Sequence, residues 1–169
     1  MTEEGVVRGA AWRFGTDVDT DVIIPWKYAH LEPSEYATHV MEPADPEFAE
    51  KVDPGDVVVA ETNFGIGSSR EHAAIALKEA GIDAVVAASY SRIFRRNAVN
   101  QGLPPITCAL ADIERIEEGD ELEIDRAAGE VRNLTAGESY AFEPFDEPVQ
   151  SILDAGGAES YYVEPSDGD

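Results

Sequence analysis

Two uninterrupted apolar runs organise this chain: Val57-Val58-Val59-Ala60 and Ala84-Val85-Val86-Ala87-Ala88. A strand that is apolar at every position has both faces covered, as in a parallel sheet. Between the runs, residues 71–80 carry a helical pattern that Gly81 closes as a C′ residue. After the second run, residues 91–100 read as another helix, closed by Gly102. Pro105-Ile106-Thr107-Cys108-Ala109-Leu110 reads as a further buried strand. Strand, helix, strand, helix in this order implies parallel pairing through right-handed crossovers.

The flanking segments carry weaker patterns. Ala10-Ala11-Trp12-Arg13-Phe14 alternates and predicts a first strand. Asp17-Val18-Asp19-Thr20-Asp21 reads as a polar turn, and Val22-Ile23-Ile24 as a short apolar segment closed by Pro25. Residues 34–41 predict a short helix capped by Ser34, and residues 45–49 one further helical turn. Asp53-Pro54-Gly55-Asp56 is a turn. Towards the C-terminus, Glu121-Leu122-Glu123-Ile124-Asp125 alternates as a half-exposed strand should. Residues 126–130 form its turn, and residues 131–134 its hairpin partner. Residues 151–155 predict a helix ended by Gly156-Gly157. Residues 1–163 are expected to form one domain, with 164–169 a frayed acidic tail.

Composition narrows the function. At 169 residues and 43% hydrophobic, the chain can bury a core of its own. No apolar run approaches the ~20 residues of a membrane span. The acidic start, Met1-Thr2-Glu3-Glu4, lacks the layout of a secretory signal, so a cytoplasmic protein is expected. Thirty-five acidic residues against twelve basic ones give a net charge of −23, which disfavours nucleic-acid binding. Lysine is confined to Lys27, Lys51 and Lys78, a balance that suits a high-salt cytoplasm. The lone Cys108 can form no disulfide within the chain and cannot by itself hold an iron–sulfur cluster; a core position is expected for it.

The chemistry concentrates in Gly65-Ile66-Gly67-Ser68-Ser69-Arg70-Glu71-His72-Ala73. A glycine turn between a strand and a helix presents unpaired backbone N–H groups to an anion. Arg70 adds a planar fork for a carboxylate or phosphate. The run lacks the third glycine of a dinucleotide fingerprint and any Gly-Lys-Ser/Thr, so neither nucleotide motif is met. Ser68-x-x-Glu71 is also a capping box, which gives Ser68 a purely structural reading. Asp17-x-Asp19-x-Asp21 opens like a calcium loop but fails at Val22 and Tyr28, where glycine and glutamate belong. Asp19 and Asp21 are left as turn formers or as groups that orient Arg70.

These stretches resemble a known family. The segment from Asp17 to Pro25, the Gly-Ser-Ser-Arg-Glu-His run, Ser91-Arg92-Ile93-Phe94-Arg95-Arg96-Asn97 and Asn100-Gln101-Gly102-Leu103-Pro104 fall in the order found in small subunits of 3-isopropylmalate dehydratases. These are the swivelling domain of the aconitase superfamily. The resemblance implies an α/β fold, a three-layer β/β/α swivelling domain with a mostly parallel central sheet. It implies a heteromeric hydro-lyase whose large subunit carries a [4Fe–4S] cluster, with no cofactor or metal on this chain. The substrate would be a small hydroxy-di- or tricarboxylate, with homoaconitase and citraconate (methylmalate) dehydratase as alternatives within the family. A non-catalytic carboxylate-binding module is the alternative outside it.

By match to the motif, Ser68 would be the general base, Ser69 a hydrogen-bond donor and Arg70 the carboxylate clamp. Where the family has a cysteine, this chain has Ile66. In relatives, the loop matching Tyr28-Ala29-His30-Leu31 sorts substrates, which makes His30 the candidate selector. His72 is expected to support or cap the helix. Arg92, Arg95 and Arg96 are expected to line the cleft, meet the partner or form internal ion pairs. Trp12 and Trp26 are expected to be packing anchors.

Overall fold

The computed structural model describes residues 5–67 and 71–162. Seven strands form one sheet in the order β4-β3-β2-β1-β5-β6-β7. They are β1 (Val6–Arg13), β2 (Val57–Val59), β3 (Ala84–Ala87), β4 (Pro105–Thr107), β5 (Glu121–Asp125), β6 (Glu130–Asn133) and β7 (Glu138–Ala141). The pairings among β1, β2, β3 and β4 are parallel. Those of β1 with β5, β5 with β6 and β6 with β7 are antiparallel. The expectation of a mostly parallel sheet is therefore corrected: half of the pairings are antiparallel. Tight turns at 126–129 and 134–137 leave no room for crossover helices there, and antiparallel pairing follows.

The sheet folds over on itself, which produces the three layers. Val58 and Val85 pack with Ala73, Ala76 and Leu77 of helix α4 (His72–Ala80). Their neighbours Val57, Val59, Ala84 and Val86 pack on the other face with Leu122, Ile124, Val131 and Tyr140 of the antiparallel half. Two-sided burial explains why β2 and β3 are apolar throughout while β5 and β6 alternate.

Short helical turns link β1 to β2, and here the sequence expectations need correction. Residues 34–41 do not form one helix capped by Ser34. A helix spans Pro33–Tyr36 and a 3₁₀ turn follows at Ala37–His39. Proline is preorganised for the first helical position, so it takes that place and pushes the cap back to Glu32. Five elements were not anticipated: helices at Thr20–Ile23, Leu110–Ile113 and Ala158–Tyr162, the 3₁₀ turn Trp26–Tyr28, and β7; the strand expected over residues 105–110 closes at Thr107, and Leu110 opens a helix instead. Trp12 is an anchor as expected. It lies edge-on to Phe48 at 4.9 Å, and its Nε1 donates to the buried Asp56 carboxylate at 2.9 Å. Trp26 is not, being 55% exposed.

The charge of −23 makes salt a test of the high-salt reading. At molar ionic strength the Debye length falls to ~3 Å and self-repulsion is screened. The melting temperature is expected to rise between low and molar KCl. A flat or falling curve would remove that reading.

Candidate active site

Two distant segments lie side by side to build the glycine turn. Asp17 N donates to Thr62 O at 2.8 Å, Gly65 N to Val18 O at 2.7 Å and Thr20 N to Ile66 O at 2.8 Å. Asn63 Nδ2 donates to Asp17 Oδ1 at 2.9 Å. The Asp17–Asp21 motif is thus the seam that holds the turn. Asp19 accepts from Asp21 N at 2.7 Å and caps the short helix α1 (Thr20–Ile23). The turn-forming reading of Asp19 holds.

The turn is clamped from the other side by Ser91. Its Oγ donates to Gly65 O at 2.9 Å and accepts from Phe94 N at 3.1 Å, capping helix α5 (Arg92–Asn100). Glycine is required at both turn positions. Gly65 has φ +84°, and a Cβ there would lie 2.4 Å from the Phe94 side chain. Gly67 has φ +109°, and a Cβ there would come within 2.9 Å of both Asp19 carboxylate oxygens.

Ser68, Ser69 and Arg70 lie outside the described residues. Just beyond them, helix α4 begins at His72 and runs for nine residues, with Glu71 at the cap position and Gly81 in the left-handed region at its end. A strand, a clamped glycine turn and a helix N-terminus therefore occur in the order an anion site needs.

Two hollows adjoin this turn. Gly67, Ser91, Arg92, Ile93 and Arg96 line an open cavity of about 340 Å³. A narrower one is walled by Asp21, Trp26, Ala29 and His72. The His72 ring stands edge-on to Trp26 at 6.0 Å and to Tyr36 at 5.6 Å. Its Nδ1 is buried without a hydrogen-bond partner among the described residues, so within them the imidazole has one bond left to give or take. Burial, and next the charge of Glu71, push the Tyr36 phenol up to about 12, so it stays neutral behind the His72 ring.

The structure puts His30 on an exposed turn after the 3₁₀ segment Trp26–Tyr28. Ala29, one residue earlier, lines the narrow hollow. The turn is anchored behind His30: Tyr28 stacks on His39 at 3.8 Å, and its OH donates to Glu42 at 2.8 Å. Hydrogen bonds from His39 and then Tyr28 hold the Glu42 carboxyl below its usual range. Sequence reading missed Ala29, Trp26, Ser91 and the placement of Asp19 against Gly67. Ser91 and Asp19 each carried one usable signal, a cap-forming residue before a helix.

Among the described residues no three His, Cys, Asp or Glu side chains gather as a metal site. Cys108 is 4% exposed, and burial followed by the Asp112 charge pushes its thiol up to about 12. A thiol so disposed suits neither a cluster nor a nucleophile. Iodoacetamide at pH 8.5 is expected to label the unfolded chain and spare the folded one. Because the folded thiol titrates above its ordinary 9.0, its contribution to stability is intact below pH 9 and fades towards pH 12. Labelling of the native protein at the unfolded rate would contradict this.

The aconitase C-terminal domain family matches residues 16–111, which include the seam, the glycine turn, α4, α5 and β4. The chain belongs to that family. Within it, the chain is 54% identical over 153 residues to a 3-isopropylmalate dehydratase small subunit of Methanopyrus kandleri, covering 90% of this chain and 89% of the relative. It is 50% identical over 165 residues to a methanogen homoaconitase small subunit of Methanothermobacter thermautotrophicus, covering 97% and 95%. The crystal structure of a 3-isopropylmalate dehydratase from Methanocaldococcus jannaschii superposes with a TM-score of 0.89 at 44% identity, covering 94% of each chain. Aconitase-family membership accounts for the folded-over sheet as well as for the motif.

Proposed function

We propose that this chain is the small subunit of a heteromeric hydro-lyase, 3-isopropylmalate dehydratase, interconverting 2- and 3-isopropylmalate in leucine biosynthesis. The observation that carries the reading is full-length likeness to the Methanocaldococcus jannaschii enzyme, together with the clamped glycine turn that opens α4. The partner is a large subunit, and the setting is the cytoplasm. Among the described residues, no helix is long and apolar enough to cross a membrane.

In this reading, Ser68 removes the proton from one substrate carbon, and the hydroxyl leaves the neighbouring carbon as the double bond forms. Rehydration returns both with the positions exchanged. A serine is a weak base, so its charged form needs stabilising by Arg70 and by the N–H groups that open α4. Arg70 also grips a substrate carboxylate, and Ser69 donates a hydrogen bond. The [4Fe–4S] cluster belongs to the large subunit, where it supplies the Lewis acid. The single buried Cys108 leaves this chain no means to hold it.

Reconstitution with a cluster-bearing large subunit and a substrate panel tests the proposal. Interconversion of 2- and 3-isopropylmalate is expected only from the pair. A non-catalytic carboxylate-binding module would leave the partner's activity unchanged.

The homoaconitase relative favours a second reading, in which the substrate carries an added carboxylate in place of the isopropyl group. His30→Arg supplies a permanent charge and is expected to shift the substrate ratio towards the tricarboxylate by about tenfold or more. If His30→Arg and His30→Ala both leave the ratio unchanged, His30 is not the selector. Ala29 on the hollow's wall becomes the residue to vary.

A further inference from the structure

Helix α5 places cations where its own fold disfavours them. Arg92 is its first residue and Arg96 lies one turn further along the same face. Cations at a helix N-terminus oppose the helix dipole, and like charges four residues apart repel. No acidic residue stands in the first turn to offset them. Carboxylates are not scarce, since the chain has 35 of them. Arg8, Arg13, Arg115, Arg126 and Arg132 each meet one. Arg95 lies over the Phe145 ring at 5.8 Å. Arg92 and Arg96 are exposed and meet no carboxylate of the described residues. Between them in sequence, Ile93 is 36% exposed, and all three line the 340 Å³ cavity that reaches Gly67.

We infer that Arg92, Ile93 and Arg96 dock this chain against an acidic edge of its large subunit, an inference that rests on the heteromeric reading of the function. Exposed arginines around an apolar residue have the composition of an interface centre. A bound hydroxy acid would call for further polar donors where Ile93 stands. The cavity also shares none of its lining with the hollow below the Tyr28–Leu31 turn. An acidic partner turns the unfavourable placement of both guanidiniums into attraction. The contact would seat the glycine turn, through Gly67, at the subunit boundary.

The test is the affinity between the two subunits, measured by calorimetry for the wild-type chain, Arg92→Glu/Arg96→Glu and Arg92→Ala/Arg96→Ala. Charge reversal is expected to weaken assembly by about 100-fold or more and alanine by about tenfold. The reversed chain alone is expected to melt no lower than wild type, because an acid now faces the helix N-terminus. Activity should return when the large subunit is supplied in excess. Should reversal unfold the chain, the alanine pair carries the test. If the wild-type chain itself fails to assemble, the heteromeric reading falls and this inference with it. If wild type and variants assemble equally, the inference alone falls. A raised KM at unchanged assembly would assign the pair to substrate and overturn it.

Discussion

Ser68→Ala is expected to lower kcat of the reconstituted enzyme by about 10²–10⁴-fold while the chain stays folded. Two roles compete for this serine, and their magnitudes separate them. As the first residue of a capping box, Ser68 would contribute only ~1 kcal/mol to stability. Its loss would lower the melting temperature by a few degrees and leave kcat near normal. As the general base, it would be needed at every turnover and would matter little for folding. The turn that precedes Ser68 already has supports of its own. Helix α4 begins at His72, and among the described residues the Glu71 side chain makes no capping bond. Asn63 and Ser91 tie down the preceding turn, and the Asp19 carboxylate lies against Gly67. A near-normal kcat in Ser68→Ala would return the residue to capping. Arg70→Lys provides the companion measurement, since lysine cannot reproduce a bidentate grip on a carboxylate. A raised KM at constant kcat would mean that the grip is equal in ground and transition states.

The parallel half of the fold was legible because burial on both faces writes itself as continuous apolarity. The runs at Val57 and Ala84 became β2 and β3, and the helix between them ended at the glycine that closed its pattern. The antiparallel half was legible only where one face meets solvent, as in Glu121–Asp125. Strand β7 reads Glu-Ser-Tyr-Ala, and only Tyr140 among them is buried, so no alternation announced it. That omission made the sheet look more parallel than it is. The start of β1 was hidden for a related reason, since Arg8 and Gly9 interrupt its apolar positions. At the site, the motif named the residue types but not their supports. Asp19 and Ser91 act across 48 and 26 residues of sequence on Gly67 and Gly65, and no local pattern reports such contacts. The exposure of Trp26 and the placement of Ala29 in the hollow are likewise tertiary facts.

Gly65→Ala is expected to cost about 2–5 kcal/mol and to impair catalysis as well. Two penalties combine at this position. The backbone sits at φ +84°, where an alanine is strained by ~1–2 kcal/mol. The added methyl would also lie 2.4 Å from the Cβ and Cγ of Phe94. That ring cannot easily retreat. It is 2% exposed and lies edge-on to Phe64 at 5.1 Å. Its own backbone N–H is tied to Ser91, whose hydroxyl holds Gly65 O. Overpacking a position so enclosed adds ~1–3 kcal/mol. For a chain of this size the melting temperature should fall by roughly 4–20 °C. Gly119→Ala separates the two penalties, because Gly119 has φ +92° with nothing within 4 Å of its would-be Cβ. That variant should show the backbone strain alone and keep full activity. Equal losses of stability in the two variants would mean that Phe94 yields, and that the turn carrying Ser68 is not rigidly clamped. A larger loss in Gly65→Ala, accompanied by reduced kcat, would tie the precision of the glycine turn to the packing of α5 beneath it.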